Sequence, residues 1–149
     1  MAILLLAYIS DAARVYSEQE MEDLLRVCRK NNKELNITGM LLYAENKFLQ
    51  ILEGNPEVVH ALYEKIEQDS RHHNVTIMDT DLIEERSFDE WSMGFHKTNS
   101  EGLDQISEGY VEMFDGEQLA IKNCCNKNIC VHILLSTFKR IIETKPEAA

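Results

Sequence analysis

The chain opens with an unbroken run of apolar residues. Residues 3–9 are aliphatic or aromatic and are followed by Ser10 and Asp11. A run of this length, bounded by polar residues, is typical of a strand that is covered on both faces. It is too short to span a bilayer, and it has neither a basic flank before it nor a small-residue cleavage pattern after it. We therefore predict a central strand, and we expect a cytoplasmic protein that does not act at a membrane.

A helix is predicted after this strand. Ser17 and Glu20 have the spacing of a capping box, in which each side chain satisfies a backbone N–H at the helix start. Asn31 and Asn32 predict the end of the helix, since asparagine tolerates the left-handed conformation of a C-terminal cap. Apolar residues between these limits recur three and four positions apart and predict one buried face: Met21, Leu24, Leu25 and Cys28.

The next segments predict a hairpin and a second helix. Residues 36–43 and 47–53 are strand-like and are joined by a short polar connection, which favours an antiparallel hairpin. Asn55 is the predicted cap of the second helix, and Pro56 occupies the first helical position, where its missing N–H costs nothing. Residues 75–83 and 92–97 predict two further strands. The apolar stripe of the second helix consists of Val59, Leu62 and Ile66.

The resulting order βαββαββ predicts a ferredoxin-like α+β fold. Its five-stranded mixed sheet carries two helices on one face. We predict that residues 98–149 form a helical extension that covers the opposite face, because that face would otherwise expose apolar surface. Residues 1–97 then form the main domain. The predicted extension has one helix around Ile106 and Tyr110 and another between Val131 and Ile142, where apolar residues recur at helical spacing.

Composition and charge narrow the possible partners. A chain of 149 residues that is 44% hydrophobic can bury one sizeable core. Its net charge of −11 argues against binding a phosphate backbone, so we do not expect a nucleic-acid partner. The cysteines at 28, 124, 125 and 130 lack paired Cys-x-x-Cys spacing, so we expect neither a zinc site nor a disulfide.

Several short motifs resemble the BLUF family of flavin photoreceptors, in family order and at family spacing. They span residues 1–97, and the chain is most similar to short bacterial and cyanobacterial members that lack a fused effector domain. The motifs are Tyr8, Asn31-Asn32, residues 37–41, residues 48–50, residues 52–54, Asp69, Arg71-His72 and residues 91–93.

This resemblance implies one FAD between the two helices, with the edge of its ring facing the first and third strands. By similarity, Asn32 binds the pyrimidine edge, while Asn31 and Arg29 lie near the sugar-phosphate arm. Arg71 and His72 help to close the pocket. Asp69, two residues before Arg71, is also among the residues that the resemblance implies to bind the cofactor. The apolar ring contacts would come from Leu24, Leu25, Cys28 and Ile66.

The implied photoactive residues are Tyr8, Gln50, Trp91 and Met93. In the family, the excited flavin takes an electron and a proton from the tyrosine by way of the glutamine, and the glutamine amide is then rearranged. An amide suits this role because it donates to one neighbour while it accepts from another. The resemblance implies a sensor without catalytic turnover, which signals to a downstream protein and forms a homo-oligomer.

This chain departs from the family pattern at two of these positions. Cys28 stands where a small hydroxyl residue is frequent, and Leu24 stands where isoleucine is frequent. Both residues stay small or apolar, so we expect flavin binding to be retained and the spectrum and recovery rate to differ.

Each of these residues also has a plainer explanation. Tyr8 could be a core tyrosine with a satisfied hydroxyl, Asn31-Asn32 a helix cap, and the segment 71–73 a solvated turn.

Two other functions fit the same fold. One is a flavin-free ferredoxin-like regulatory module, in which Gln50 is incidental. The other is a flavin enzyme, which needs a general acid or base near the ring.

Overall fold

The structure is a computed structural model that describes residues 2–86, 93–97, 111–115, 118–122 and 140. The structure gives bounds for two helices and seven strands among these residues. In chain order they are β1 (Ile3–Ala12), α1 (Glu18–Leu35), β2 (Thr38–Ala44), β3 (Lys47–Gly54), α2 (Pro56–Glu67), β4 (His72–Ile83), β5 (Gly94–Lys97), β6 (Val111–Asp115) and β7 (Gln118–Lys122).

The strands form one mixed sheet in the order β4-β1-β3-β2-β5-β6-β7. β1 pairs antiparallel with both β3 and β4, while β5 pairs parallel with β2. The βαββαββ order confirms the predicted ferredoxin-like class. The sheet has seven strands rather than five, because β6 and β7 extend it beyond β5. The predicted C-terminal helices, around residues 106–110 and between 131 and 142, lie outside the described residues except for Arg140.

The start of α1 was predicted correctly and its end was not. Both bonds of the capping box are present between Ser17 and Glu20. The helix continues past Asn32 to Leu35, and Asn36 takes the left-handed conformation with φ of 55°. The residue that ends α1 is therefore Asn36. The Asn32 side chain is almost fully buried instead of capping the helix.

The hairpin between β2 and β3 is confirmed. Its two turn residues, Glu45 and Asn46, have φ of 51° and 64°, and Ala44 pairs with Lys47. Positive φ at both positions is the type I′ geometry that matches the twist of paired strands. α2 also begins as predicted, because the Asn55 side chain accepts bonds from the backbone N–H groups of residues 57 and 58.

Both faces of the central strands are buried, as the apolar run at the N-terminus predicted. Towards the helices, β1 and β3 contribute Leu4, Leu6, Tyr8 and Leu52, which pack with Met21, Leu25 and Val59. Alternate residues face the other way. The opposite face contains Leu5, Ala7, Met40, Leu42, Leu49 and Ile51, none of which is exposed.

Candidate functional site

A cavity of about 260 Å³ lies between α1 and α2 and reaches β1 and β3. Every residue predicted to bind the cofactor lines it, with the exception of Arg29. Apolar side chains from both helices supply most of its surface, and a few polar side chains converge on it, which is the usual composition of a small-molecule site. The predicted residues on its surface are Tyr8, Leu24, Leu25, Cys28, Asn31, Asn32, Gln50, Ile66, Asp69, Arg71 and His72.

Tyr8 and Gln50 meet at the inner end of this cavity. They are directly opposite each other in the antiparallel pairing of β1 with β3, and the Tyr8 hydroxyl donates to Oε1 of Gln50. Only 3% of Tyr8 and 5% of Gln50 is exposed. Burial raises the pKa of the Tyr8 phenol far above its ordinary value. The phenol is therefore held neutral, with its proton directed at one defined oxygen atom.

The other end of the Gln50 amide faces Met93. Nε2 of Gln50 donates to Sδ of Met93 at 3.5 Å, and Met93 is fully buried. The side chain of Arg29 lies away from the cavity surface, and its Nε donates to the backbone oxygen of Met93 at 2.9 Å. Met93 immediately precedes β5, so these two bonds connect β3 and α1 to the start of that strand. Trp91 lies outside the described residues.

The polar edge of α1 presents an amide and a thiol to the cavity. Asn32 is 1% exposed, and its Nδ2 donates to Sγ of Cys28, one helical turn earlier, at 3.6 Å. Burial raises the pKa of the Cys28 thiol, which keeps this thiol protonated. Asn31 lines the cavity beside them.

The residues that follow α2 form a charged and hydrogen-bonded edge of the cavity. Nε of Arg71 donates to Oδ1 of Asp69 at 2.9 Å, and this pairing lowers the pKa of the Asp69 carboxyl. Nε2 of His72 lies 2.6 Å from the backbone oxygen of Ile66, and Nδ1 lies 2.8 Å from the Ser10 hydroxyl. A carbonyl only accepts, so Nε2 carries the proton. His72 thereby links the end of α2 to β1.

Sequence reasoning missed several residues of the cavity surface. Phe48 is two residues from Gln50 and therefore on the same face of β3, while Leu41 is the partner of Gln50 across the hairpin. Strand periodicity and hairpin register would have identified both. Leu62 was predicted only as part of the α2 stripe. Within residues 2–86, the missed residues are Tyr16, Val27, Leu41, Phe48, Leu62 and Lys65.

Comparison with protein families decides the class of this site. The family model of BLUF domains, described as sensors of blue-light using FAD, matches residues 3–94. The chain belongs to the BLUF family. As a BLUF domain it is a flavin-binding blue-light photoreceptor.

Curated relatives contain a similar BLUF region within much longer chains. Photoactivated adenylate cyclase subunit beta of Euglena longa is 39% identical over 89 residues, which is 59% of this chain and 10% of that protein. The alpha subunit of Euglena gracilis is 40% identical over 86 residues, 58% of this chain and 8% of that protein. This chain therefore matches about a tenth of the length of these cyclases.

Solved BLUF structures share the fold. BlsA in its photo-activated state is 30% identical with a TM-score of 0.65, and the match covers 99% of both chains. BlrB, a BLUF protein in its dark state, is 28% identical with a TM-score of 0.63 over 72% of this chain and 80% of that one. A bacterial light-regulated adenylyl cyclase is 31% identical with a TM-score of 0.64, covering 95% of this chain and 34% of the cyclase.

The cavity has the chemistry that a flavin requires. Leu24, Leu25 and Ile66 offer apolar contacts for a flat ring system. Asn32 and Gln50 supply buried amides that can both donate and accept, which suits the carbonyl and N–H groups of a pyrimidine edge. The described part of the chain contains no group of three potential metal-ligating side chains. Among the same residues, no helix has the length and apolar character needed to cross a membrane.

Proposed function

We propose that this BLUF chain is a blue-light sensor that holds one FAD without a covalent bond, and that it signals by associating with another protein. The observation that carries the proposal is the continuous hydrogen-bonded path from Tyr8 through Gln50 to Met93. This path starts at the cavity and ends at the first residue before β5. A buried amide is costly unless both of its ends are satisfied, and here each end has a different partner.

FAD is the proposed form of the flavin. The family description names FAD, whereas one solved relative, BlrP1 of Klebsiella pneumoniae, is described with FMN. Lys65 and Arg71 lie on the surface of the cavity and provide positive charge for a phosphate arm. Release of the cofactor by heat, followed by chromatography, tests this proposal. FAD at one molecule per chain is the expected result, and FMN or no flavin would contradict it.

The bound flavin supplies a chromophore that absorbs blue light and accepts an electron. Tyr8 is the oxidisable donor at the cavity, and its proton is already directed at Oε1 of Gln50. Rotation of the Gln50 amide would place Nε2 beside the Tyr8 oxygen and Oε1 beside Sδ of Met93. A carbonyl oxygen and a thioether are both acceptors, so the bond to Met93 would be lost. The rearranged amide thus breaks the bond between β3 and the start of β5, while the bond from Arg29 to Met93 remains.

Tyr8→Phe and Gln50→Leu test this path. Each variant removes one end of it and keeps the apolar cavity surface, so each should bind flavin and fail to form the long-lived red-shifted state. Tyr43→Phe is the matched control, because it also deletes one phenol hydroxyl that is bonded within the hairpin, to Oδ1 of Asn46 at 3.0 Å. A normal photocycle in Tyr8→Phe or Gln50→Leu would contradict the assigned roles.

Transmission is proposed to pass through β5 to residues 98–149. β5 lies between β2 and β6, so a shift at Met93 reaches β6 and β7 through backbone bonds. One rearranged hydrogen bond is worth about 1 kcal/mol, whereas moving a state from 1:99 to 99:1 requires about 5.5 kcal/mol. The response is therefore a partial shift, which repacking of Met93 and contacts between subunits amplify.

Hydrogen exchange in darkness and under blue light tests this route. The amides of β5, β6 and β7 should exchange faster in the light, and Met93→Ala should keep the red shift while this difference shrinks. Truncation after Lys97 should keep the red shift and abolish any light-dependent change in molecular size. Identical exchange in these strands, or a truncated chain that still changes its assembly with light, would refute the route.

A further inference from the structure

The loop between β1 and α1 carries one side chain that faces the cavity. Residues 13–15 and Ser17 are exposed, whereas Tyr16 is partly buried and lines the cavity. Tyr16 immediately precedes the helix cap, a position at which a hydrophobic residue fixes the angle of the chain as it enters a helix. Its ring centre lies 6.4 Å from that of Phe48 and 4.6 Å from the guanidinium carbon of Arg14. An aromatic neighbour and a cation therefore hold the ring in place.

The hydroxyl of Tyr16 joins this loop to the turn that follows α2. It donates to the backbone oxygen of Arg71 at 2.6 Å, and the N–H of Ala13 donates to the same oxygen at 3.0 Å. These two hydrogen bonds are called the loop tie below. Arg71 also lines the cavity, and its side chain is bonded to Asp69. Because the cavity lies between α1 and α2, the loop tie joins the two sides of the cavity at this end.

The loop tie consists of protein groups alone. A hydroxyl, an amide and a carbonyl of the chain form it, so it stabilises the closed cavity equally with and without a bound flavin. If the two sides part to let a flavin pass, the loop tie slows entry and release by the same factor. The ratio of the two rates, which is the dissociation constant, is then unaffected. A side chain that only contacts the flavin changes the release rate and the dissociation constant together.

We propose that Tyr16 is a positioning residue that keeps the cavity closed and sets the rate of flavin exchange. This inference rests on the flavin site proposed above and is independent of the light reaction. Tyr16→Phe keeps the ring beside Phe48 and removes only the hydroxyl. One lost hydrogen bond corresponds to a factor of about five in a rate. FAD should therefore leave this variant about fivefold faster, with a dissociation constant within about twofold of the wild-type value.

Cofactor exchange in darkness tests the proposal. The full chain is loaded with FAD and mixed with a large excess of FMN, and chromatography of the released FAD gives the release rate. Equilibrium dialysis against FAD gives the dissociation constant. Tyr43→Phe is the matched control, because it also deletes one phenol hydroxyl, which is bonded to Asn46, and Tyr43 does not line the cavity. This control should release FAD at the wild-type rate.

Hydrogen exchange of the FAD-loaded protein provides a second, independent readout. The amide of Ala13 bonds to the same oxygen as the Tyr16 hydroxyl, so it is exposed whenever the loop tie opens. In Tyr16→Phe this amide should exchange about fivefold faster by NMR. The amide of Ala12 donates to the backbone oxygen of Asn46 at 2.9 Å instead, and its exchange rate should stay the same.

Three results would overturn the role of Tyr16. One is a release rate in Tyr16→Phe within about twofold of the wild-type rate, and another is unchanged exchange at Ala13. The third is an equal rise of the release rate and the dissociation constant, because Tyr16 would then act only as a contact for the flavin. A wild-type protein with the expected exchange behaviour and no red shift would overturn the sensor function and leave this inference standing. A chain that binds no flavin would overturn both.

Discussion

The Tyr8–Gln50 bond makes a quantitative prediction about stability. Both residues are nearly fully buried, so water cannot replace a partner that is deleted. Tyr8→Phe leaves Oε1 of Gln50 without its donor, and Gln50→Leu leaves the Tyr8 hydroxyl without its acceptor. An orphaned buried polar group costs about 1–3 kcal/mol, whereas replacing both partners by apolar groups of similar shape is nearly neutral.

The double variant should therefore be less destabilised than the sum of the single variants, by about 2–3 kcal/mol. Urea unfolding of the flavin-loaded protein, in which the cavity beside both groups is filled, measures the three free energies, provided that the denaturant slope and the flavin occupancy are the same for all variants. Tyr8→Phe combined with Val58→Ala is the control, because Val58 is a partly buried residue that does not line the cavity. The losses of unfolding free energy in Tyr8→Phe and Val58→Ala should add. Additivity of Tyr8→Phe and Gln50→Leu within about 0.5 kcal/mol would refute the buried bond.

Three further predictions concern the scaffold. Gly39→Ala should cost about 2–4 kcal/mol in thermal unfolding, because the new Cβ would lie 1.9 Å from a backbone oxygen of β3; a loss below about 1 kcal/mol would contradict this. Asn55→Ala should cost about 1 kcal/mol through loss of the helix cap and leave flavin absorbance unchanged, and equal stability would argue against the cap. Bonds from Asn74 and then Lys47 lower the pKa of Asp11. Its contribution to stability is therefore present above its unfolded pKa of about 4 and is lost as the pH falls through the lower folded pKa. Asp11→Asn should flatten the plot of unfolding free energy against pH in this range. An unchanged slope would contradict the role assigned to Asp11.

The strands that carry the site could be predicted from the sequence. The apolar run at residues 3–9 and the short hairpin connection predict the strands that carry Tyr8 and Gln50, and the family resemblance implies that the two residues face one flavin. The buried amide in an otherwise apolar strand marked Gln50 as unusual. Local spacing and strand periodicity contain the strand assignment, because it depends on residues that are close in the chain. The pairing of β1 with β3 joins residues 42 positions apart and depends on the fold.

Features that depend on distant contacts had no local signal in the sequence. Asn32 resembles a helix cap by sequence, and only the packing of α1 against the cavity shows that its side chain is buried. The contact between Gln50 and Met93 joins residues from separate elements and has no local signal. β6 and β7 were missed, although the two residues between them, Gly116 and Glu117, begin with the glycine that is favoured in two-residue hairpin loops. The C-terminal segment was interpreted as two helices, around residues 106–110 and between 131 and 142, and no strand was predicted between them.

The measurement that tests the central claim most directly is the absorption spectrum of the purified protein, recorded in darkness, under blue light and again after dark recovery. We expect a flavin spectrum that moves reversibly to slightly longer wavelength under illumination, because the rearranged Gln50 amide changes the hydrogen bonds at the edge of the ring. A colourless protein would favour the flavin-free module, and a flavin that only bleaches with added reductant would favour an enzyme. Either result would contradict a light sensor built on Tyr8 and Gln50.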